Sequence, residues 1–275
     1  MNEPFGDDFR TKLNCAMFSM SFRPYLSDKP DDWTGDTIIF APDLGCDRSW
    51  FDTAFRYPAL RNMTLLSFDW PGQGDTCSET GPKQLWRSAK DRFNGTVQYI
   101  YDMVEESLGT FHIVAHGMGA VPALAAWSAL PRDRLGAFIA IEGNLTGPDC
   151  ALASRRMVGG PAEVEACIAE LSESDSTSDR IWASDMAWCD PEYIAAVAQG
   201  LVAACDSGHI ADHWRWLQRP HYLYGAHSGY PEHHRALFDQ TCTNTIEIPG
   251  AGHFPMLDNR SDTWAAVATA IKGTA

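Results

Sequence analysis

The chain has 275 residues, of which 45% are hydrophobic and 21% charged. That is enough apolar material for one substantial domain with a large core, and it excludes long disorder. The formal charge of -15, with no basic run, argues against a nucleic-acid partner.

No stretch reaches the roughly 18 to 20 uncharged apolar residues that a membrane helix needs. No membrane association is expected. The N-terminus reads MNEPFGDDFR, acidic and polar, without the basic-then-apolar order of a secretory signal. A cytoplasmic location is expected. Cys15, Cys46, Cys77, Cys150, Cys167, Cys189, Cys205 and Cys242 are widely spread, and none forms a C-x-x-C pair. They read as reduced thiols rather than a zinc site or a disulfide framework. No cofactor is implied. A small-molecule substrate is the expected partner, and a homodimer is left open.

Short apolar runs alternate with longer helical patterns, which predicts a mostly parallel sheet with helices on both faces. Ala16 to Phe22 is a candidate early strand. Asp36 to Ala41 (DTIIFA) is a better one and runs into PDLGCDRSW. Met63 to Phe68 (MTLLSF) is the next, ending at Asp69 and the loop PGQGD. Their near-continuous apolar character suits buried parallel strands. Trp86 to Leu108 has helical spacing.

Thr110 to Ala115 (TFHIVA) is followed by HGMGA and then the small-residue helix VPALAAWSAL, near Pro131. Leu135 to Ile141 (LGAFIAI) is another strand. From about Leu145 to Arg219 the rhythm breaks into helices, with a polar gap SESDSTSD. This reads as a helical cap at 145–216, inserted into a core of 1–144 and 217–275. Trp182, Trp188, Trp214 and Trp216 in the cap either line a pocket or pack the cap. The sheet resumes at His221 to Tyr224 (HYLY) and ends at Thr245 to Ile248 (TIEI), before PGAGHFPML. A helix over Thr263 to Ile271 closes the chain.

The stretch Ala115-His116-Gly117-Met118-Gly119-Ala120 has a strand before it and a small-residue helix after it. That is the setting of a nucleophile elbow, a tight turn flanked by small residues because the chain approaches itself there. Glu142 ends the following strand within Glu142-Gly143-Asn144-Leu145-Thr146, and His253 sits in G-A-G-H-F-P after the last strand. From about residue 36 to 272 the chain resembles the α/β-hydrolase superfamily, in its serine-hydrolase-like branch, whose elbow reads V-A-H-S-M-G-A. Here Gly117 stands at the nucleophile position.

The resemblance implies an α/β-hydrolase fold and an ester or lactone hydrolase of a moderately apolar small molecule, working through a Ser-His-Glu triad. His253 is then the general base and Glu142 its orienting acid, in the order 117, 142, 253. The loop Pro42-Asp43-Leu44-Gly45 stands where the family has its His-Gly oxyanion segment. Backbone N–H groups of Leu44 and Met118 are the implied oxyanion donors. Asp43 either orients a substrate or stabilises its loop, and His116 has a supporting role.

Gly117 leaves no acyl-enzyme route. It reads as an introduced substitution that disables a serine enzyme, as a natural lyase, isomerase or cyclase using His253 and Glu142, or as a small-molecule binding protein. His227 and Ser228 follow HYLY without a nearby acid. Asp69 and Asp75 read as structural, and His233 and His234 as solvated. No His/Asp spacing indicates a metal. Gly72 and Gly74 lack the full dinucleotide-loop pattern.

Overall fold

The computed structural model describes residues 20–22, 34–70, 72–76, 109–127, 132–151 and 153–273. The helix expected over Trp86 to Leu108 lies outside them. Among the described residues, seven strands form one sheet in the order β1-β3-β2-β4-β5-β6-β7. They are β1 (Met20–Phe22), β2 (Thr37–Ala41), β3 (Thr64–Phe68), β4 (Phe111–His116), β5 (Leu135–Ile141), β6 (His221–Gly225) and β7 (Asn244–Ile248). Strand β1 pairs antiparallel with β3, and every other pairing is parallel.

The central strands are apolar throughout because both faces are covered. Alternate residues go to opposite sides, as the pleat requires. Ile39, Ala41, Ile113 and Ala115 pack on one side, and Ile38, Phe40, Val114 and Ile139 on the other. Helix α1 (Ala120–Trp127) covers the first face, and the last helix, over Arg260–Lys272, the second.

A helical cap insertion stands between β5 and β6. It holds α2 (Ala153–Met157), α3 (Pro161–Ser172), α4 (Thr177–Met186), α5 (Pro191–Asp206) and α6 (His209–Arg215). The polar gap separates α3 from α4 for a local reason. Ser176 caps α4 by accepting from the Asp179 N–H at 3.2 Å, so a new helix starts there. Asp190 caps α5 in the same way through Glu192 N–H, at 3.0 Å. Among the described residues no single helix is long and apolar enough to cross a membrane. The bent pair α5 and α6 passes that test by composition alone, and its apolar residues Ile194, Ala198, Leu201 and Trp214 are in the core.

The cap tryptophans do not act as a set. Trp214 is fully buried, whereas Trp188 and Trp216 are exposed. Only Trp182 faces the cavity described below.

Strand β4 enters α1 through a single helical turn at Gly117–Gly119. A Cβ on Gly119 would lie 2.4 Å from the Ala41 carbonyl oxygen and 2.7 Å from that of Pro42. Both obstacles are backbone, so the contact cannot be relieved by a rotamer change. Gly119→Ala is expected to destabilise the chain by about 3 kcal/mol, the upper end for overpacking. Denaturant unfolding measures this.

Candidate active site

Gly117 sits at the tip of β4 with φ +49°, a backbone state that glycine adopts without strain. The space beside it is filled. A Cβ on Gly117 would lie 2.1 to 2.2 Å from the carboxyl atoms of Asp43. The Asp43 carboxylate therefore occupies the place where a side chain at 117 would begin.

Asp43 lies just beyond β2 and is 5% exposed. Its Oδ1 accepts the Leu44 N–H at 2.7 Å and the Met118 N–H at 2.6 Å. Its Oδ2 is 2.9 Å from His253 Nε2. Both carboxylate oxygens are thus engaged. The loop around it is pinned on each side by an indole. Trp70 donates to the Pro42 carbonyl at 2.7 Å, and Trp182 donates to the Leu44 carbonyl at 2.7 Å. Burial pushes the Asp43 carboxyl up, but the His253 hydrogen bond, the nearby His116 and His253, and the Met118 N–H outweigh it. The net shift is downward, so Asp43 is an anion.

Glu142 is at the end of β5 and has φ +47°. Its Oε1 accepts the Gly225 N–H at 2.7 Å. Its Oε2 lies 3.8 Å from His253 Nδ1. That is an ion-pair distance, too long for a hydrogen bond. Arg155 and Arg156, on the following cap helix, pair with Asp206 and Glu170.

His253 therefore lies between two carboxylates. Its own burial lowers its pKa. The hydrogen bond to Asp43 and the charges of Asp43 and Glu142 act the other way and win, raising it to about 10. The side chain keeps 37% of its surface open, but the direction follows from the two flanking anions. At neutral pH the ring is an imidazolium. Asp43, at 2.9 Å, is its close partner, and Glu142, the orienting acid that the resemblance implies, stands farther off at 3.8 Å.

His116 is fully buried. Its Nε2 is 2.9 Å from the His253 carbonyl oxygen, so Nε2 carries the proton and donates. Its Nδ1 is buried and makes no hydrogen bond. Burial lowers the ring's pKa to about 4. His116 is a neutral clamp on the His253 backbone.

Asp43, Glu142 and His253 open onto a cavity of about 770 Å³. Leu44, Trp182, Phe254, Leu171 and Tyr230 supply its apolar wall. Its charged lining is mostly acidic: Asp43, Glu142, Asp149, Glu170, Asp179 and Glu232.

Asp149 was not legible as a site residue. Its Oδ1 is 2.6 Å from His233 Nε2 and its Oδ2 is 2.7 Å from His234 Nε2. Oδ2 also accepts N–H groups from Leu145 and Thr146. His234 is fully buried, so the expectation that both histidines are solvated fails. The partners are more than 80 positions apart, which no local pattern reveals. Asp43, His116 and His253, and likewise Asp149, His233 and His234, place potential metal-ligand atoms within 4.8 Å of one another. In the second trio two carboxylate–imidazole hydrogen bonds explain the closeness; in the first, one joins Asp43 to His253, and His116 is held by the His253 carbonyl.

Asp69 and Asp75 have structural partners. Asp69 holds Arg48 through both its backbone N–H and its guanidinium, and Asp75 also pairs with Arg48. No disulfide joins the described cysteines, of which Cys46, Cys150, Cys167, Cys189 and Cys205 are buried. Ser228 reaches the cavity wall.

The profile of the Alpha/beta hydrolase family matches residues 38–269. The chain belongs to the alpha/beta hydrolase family. No curated protein matches it. Among solved structures it is similar to a thermophilic esterase from Thermogutta terrifontis, with 16% identity, a TM-score of 0.66, and coverage of 94% of this chain and 93% of that one. It is similar to the esterase EaEST from Exiguobacterium antarcticum, with 10% identity, a TM-score of 0.67, and coverage of 93% and 95%. MenH from S. aureus gives 10% identity, a TM-score of 0.68, and coverage of 94% and 98%. At these identities the likeness speaks to the fold. Within that family fold, the Asp43 carboxylate beside a glycine elbow is the feature that any account of function has to explain.

Proposed function

We propose that this chain is a hydrolase of small, moderately apolar molecules in which Asp43, His253 and Glu142 take the place of a Ser-His-Glu triad. One observation carries the reading. The Asp43 carboxylate fills the space above Gly117, bonded through one oxygen to the Leu44 and Met118 N–H groups and through the other to His253. Removing a serine hydroxyl from an otherwise ordinary site leaves room behind. Here a charged group with complete hydrogen bonding stands in that room. This favours Gly117 as a working part of the site over a disabling substitution.

Esters and lactones are the first substrates to test, given the esterases among the similar structures. A substrate carbonyl oxygen takes the Leu44 and Met118 N–H groups from Asp43 Oδ1. These are the donors that an oxyanion needs. The displaced Asp43 carboxylate then accepts a proton from the attacking water. His253, an imidazolium, gives its proton to the departing alkoxide. Asp43 afterwards returns a proton to His253. No bond to residue 117 forms at any stage.

The test is turnover of aromatic esters and lactones by the unaltered chain, followed by intact mass. Hydrolysis without an acyl adduct is expected. Affinity without turnover across the panel points instead to a binding protein. The same acid–base pair also suits a lyase, isomerase or cyclase, because His253 begins as an acid. Products that contain no oxygen from water mark that reading.

A further inference from the structure

We propose that Trp182 of the cap is a positioning residue for the reaction at the elbow, acting through Leu44. The inference rests on the ester reading for one point, the role of the Leu44 N–H as an oxyanion donor. The two donors are not held alike. Met118 belongs to the turn Gly117–Gly119 that opens α1, and the Ala120 N–H closes that turn by bonding back to the Gly117 carbonyl. The Asn144 N–H holds the same carbonyl at 3.0 Å. Leu44 lies in a loop and has no helix behind it. Its N–H is bonded to Asp43 Oδ1 at 2.7 Å, and its carbonyl accepts the Trp182 indole N–H at 2.7 Å. Gln73 accepts the N–H of the next residue, Gly45, at 2.5 Å. The Leu44–Gly45 peptide is thus gripped by Gln73 from the core and by Trp182 from the cap. When a substrate oxygen takes the Leu44 N–H, the bond to Asp43 is given up. The grip on the far side of Leu44 then keeps the donor aimed.

Trp182 is itself set by the helix that carries it. Ser178, Trp182 and Asp185 fall on one face of α4 at helical spacing. Ser178 Oγ donates to Asp258 Oδ1 at 2.8 Å. Asp258 Oδ2 accepts the Gly252 N–H at 2.9 Å, on the residue before His253. Asp185 Oδ2 accepts the Trp50 indole N–H at 2.6 Å, and the Trp50 ring packs on Phe254 with centroids 4.8 Å apart. The Trp182 ring stands 5.4 Å from that of Phe254 and 6.4 Å from that of His253. One helix face therefore meets the loop of Asp43 and the loop of His253 together. The approach is close because Gly45 has no side chain, since a Cβ there would lie 2.2 Å from Met186 Cγ. The cap sets the two loops against each other as well as covering the cavity.

Two kinds of work can be told apart at Trp182. A ring that only lines the cavity touches substrate, and its loss raises KM. A bond that aims a donor acts in the transition state, and its loss lowers kcat. Trp182→Phe keeps a ring in place and removes the N–H.

The experiment compares Trp182→Phe with Trp214→Phe in the full chain, on the aryl esters that the unaltered chain hydrolyses. Each change deletes one indole N–H from the cap. Trp214 gives its own to Thr243 Oγ1 at 3.0 Å, away from the cavity wall. Trp182→Phe is expected to lower kcat by about ten- to a hundredfold, the scale of a small misplacement, with KM little changed. The His253 ring has Asp43, Glu142 and His116 about it. In Trp182→Phe it is expected to titrate lower by NMR, because Asp43 rides on the loosened loop. Trp214→Phe is expected to leave kcat, KM and this titration unchanged. A rise in KM with kcat unchanged makes Trp182 a wall of the cavity and overturns the proposal. Equal effects of the two variants on kcat overturn it too. An unmoved His253 titration in Trp182→Phe does so whether or not any ester is turned over, whereas absence of turnover by the unaltered chain bears on the ester reading alone. One measurement needs no variant. In the unaltered chain the Trp182 indole N–H is expected to exchange with solvent far more slowly than those of the exposed Trp188 and Trp216, and exchange at their rate contradicts the bond to Leu44.

Discussion

Gly117→Ser alone is expected to give a destabilised chain that forms no acyl-enzyme, and Gly117→Ser with Asp43→Ala is expected to form one. The reason is the shared space. A Cβ at 117 lies 2.1 to 2.2 Å from the Asp43 carboxyl atoms, so a serine must push Asp43 aside or distort the elbow. Strain at a positive φ adds to the crowding. The single change is expected to cost about 1–3 kcal/mol. Asp43→Ala alone also costs stability, because it orphans two buried N–H groups and removes the partner of His253. Together the two changes relieve the clash. The double variant is therefore expected to be more stable than the sum of the single effects predicts, by about 1–3 kcal/mol. It also frees the Leu44 and Met118 N–H groups for an oxyanion. A double-mutant cycle by denaturant unfolding measures the coupling, and intact mass after an activated aryl ester detects the adduct. Simple additivity, or an adduct on Gly117→Ser alone, contradicts the shared-space account.

The second large effect is in pH dependence. Turnover that needs the His253 imidazolium is expected to hold through neutral pH and fall as pH rises through about 10. A site that starts with neutral histidine instead gains activity near the ordinary value of about 6.5. The stability linkage has a definite sign. The folded pKa is raised above the unfolded one, so the stabilisation is complete below about 6.5 and is lost as pH rises through about 10. Asp43→Asn removes the closer anion and is expected to bring the transition down toward the ordinary value. Glu142 remains as the second anion, while His116 stays neutral, held down to about 4 by burial. Titration of the ring by NMR, beside the pH–rate profile, checks both statements.

The sheet was legible because its signal is local. The run over Leu135 to Ile141 matches β5 end to end, and the strands before Asp43 and Gly117 lie where their apolar runs put them. A buried parallel strand has to be apolar along its length, whatever packs on it. The elbow was legible for a related reason, since Gly119 meets backbone on two sides. Side-chain partnerships were not. Asp43 follows a strand and reads as a loop acid. Its meaning depends on Met118, 75 positions away, and on His253, 210 positions away. Nor does spacing distinguish Trp182, which reaches the cavity, from Trp188, which faces solvent. Helical periodicity carries the direction of a face, but what that face meets is decided by the rest of the chain.

The acidic lining of the cavity has a consequence for traffic through it. Asp43, Glu142, Asp149, Glu170, Asp179 and Glu232 outnumber the basic lining groups Arg156, His233 and His253, so acidic groups prevail around the wall even though Arg156 pairs with Glu170 and His233 with Asp149. Such a field repels anions and tolerates neutral molecules. On the ester reading, a carboxylate released inside is expected to be driven out, and added acidic product is expected to inhibit weakly. The cavity thus sorts compounds by charge before any bond is made or broken.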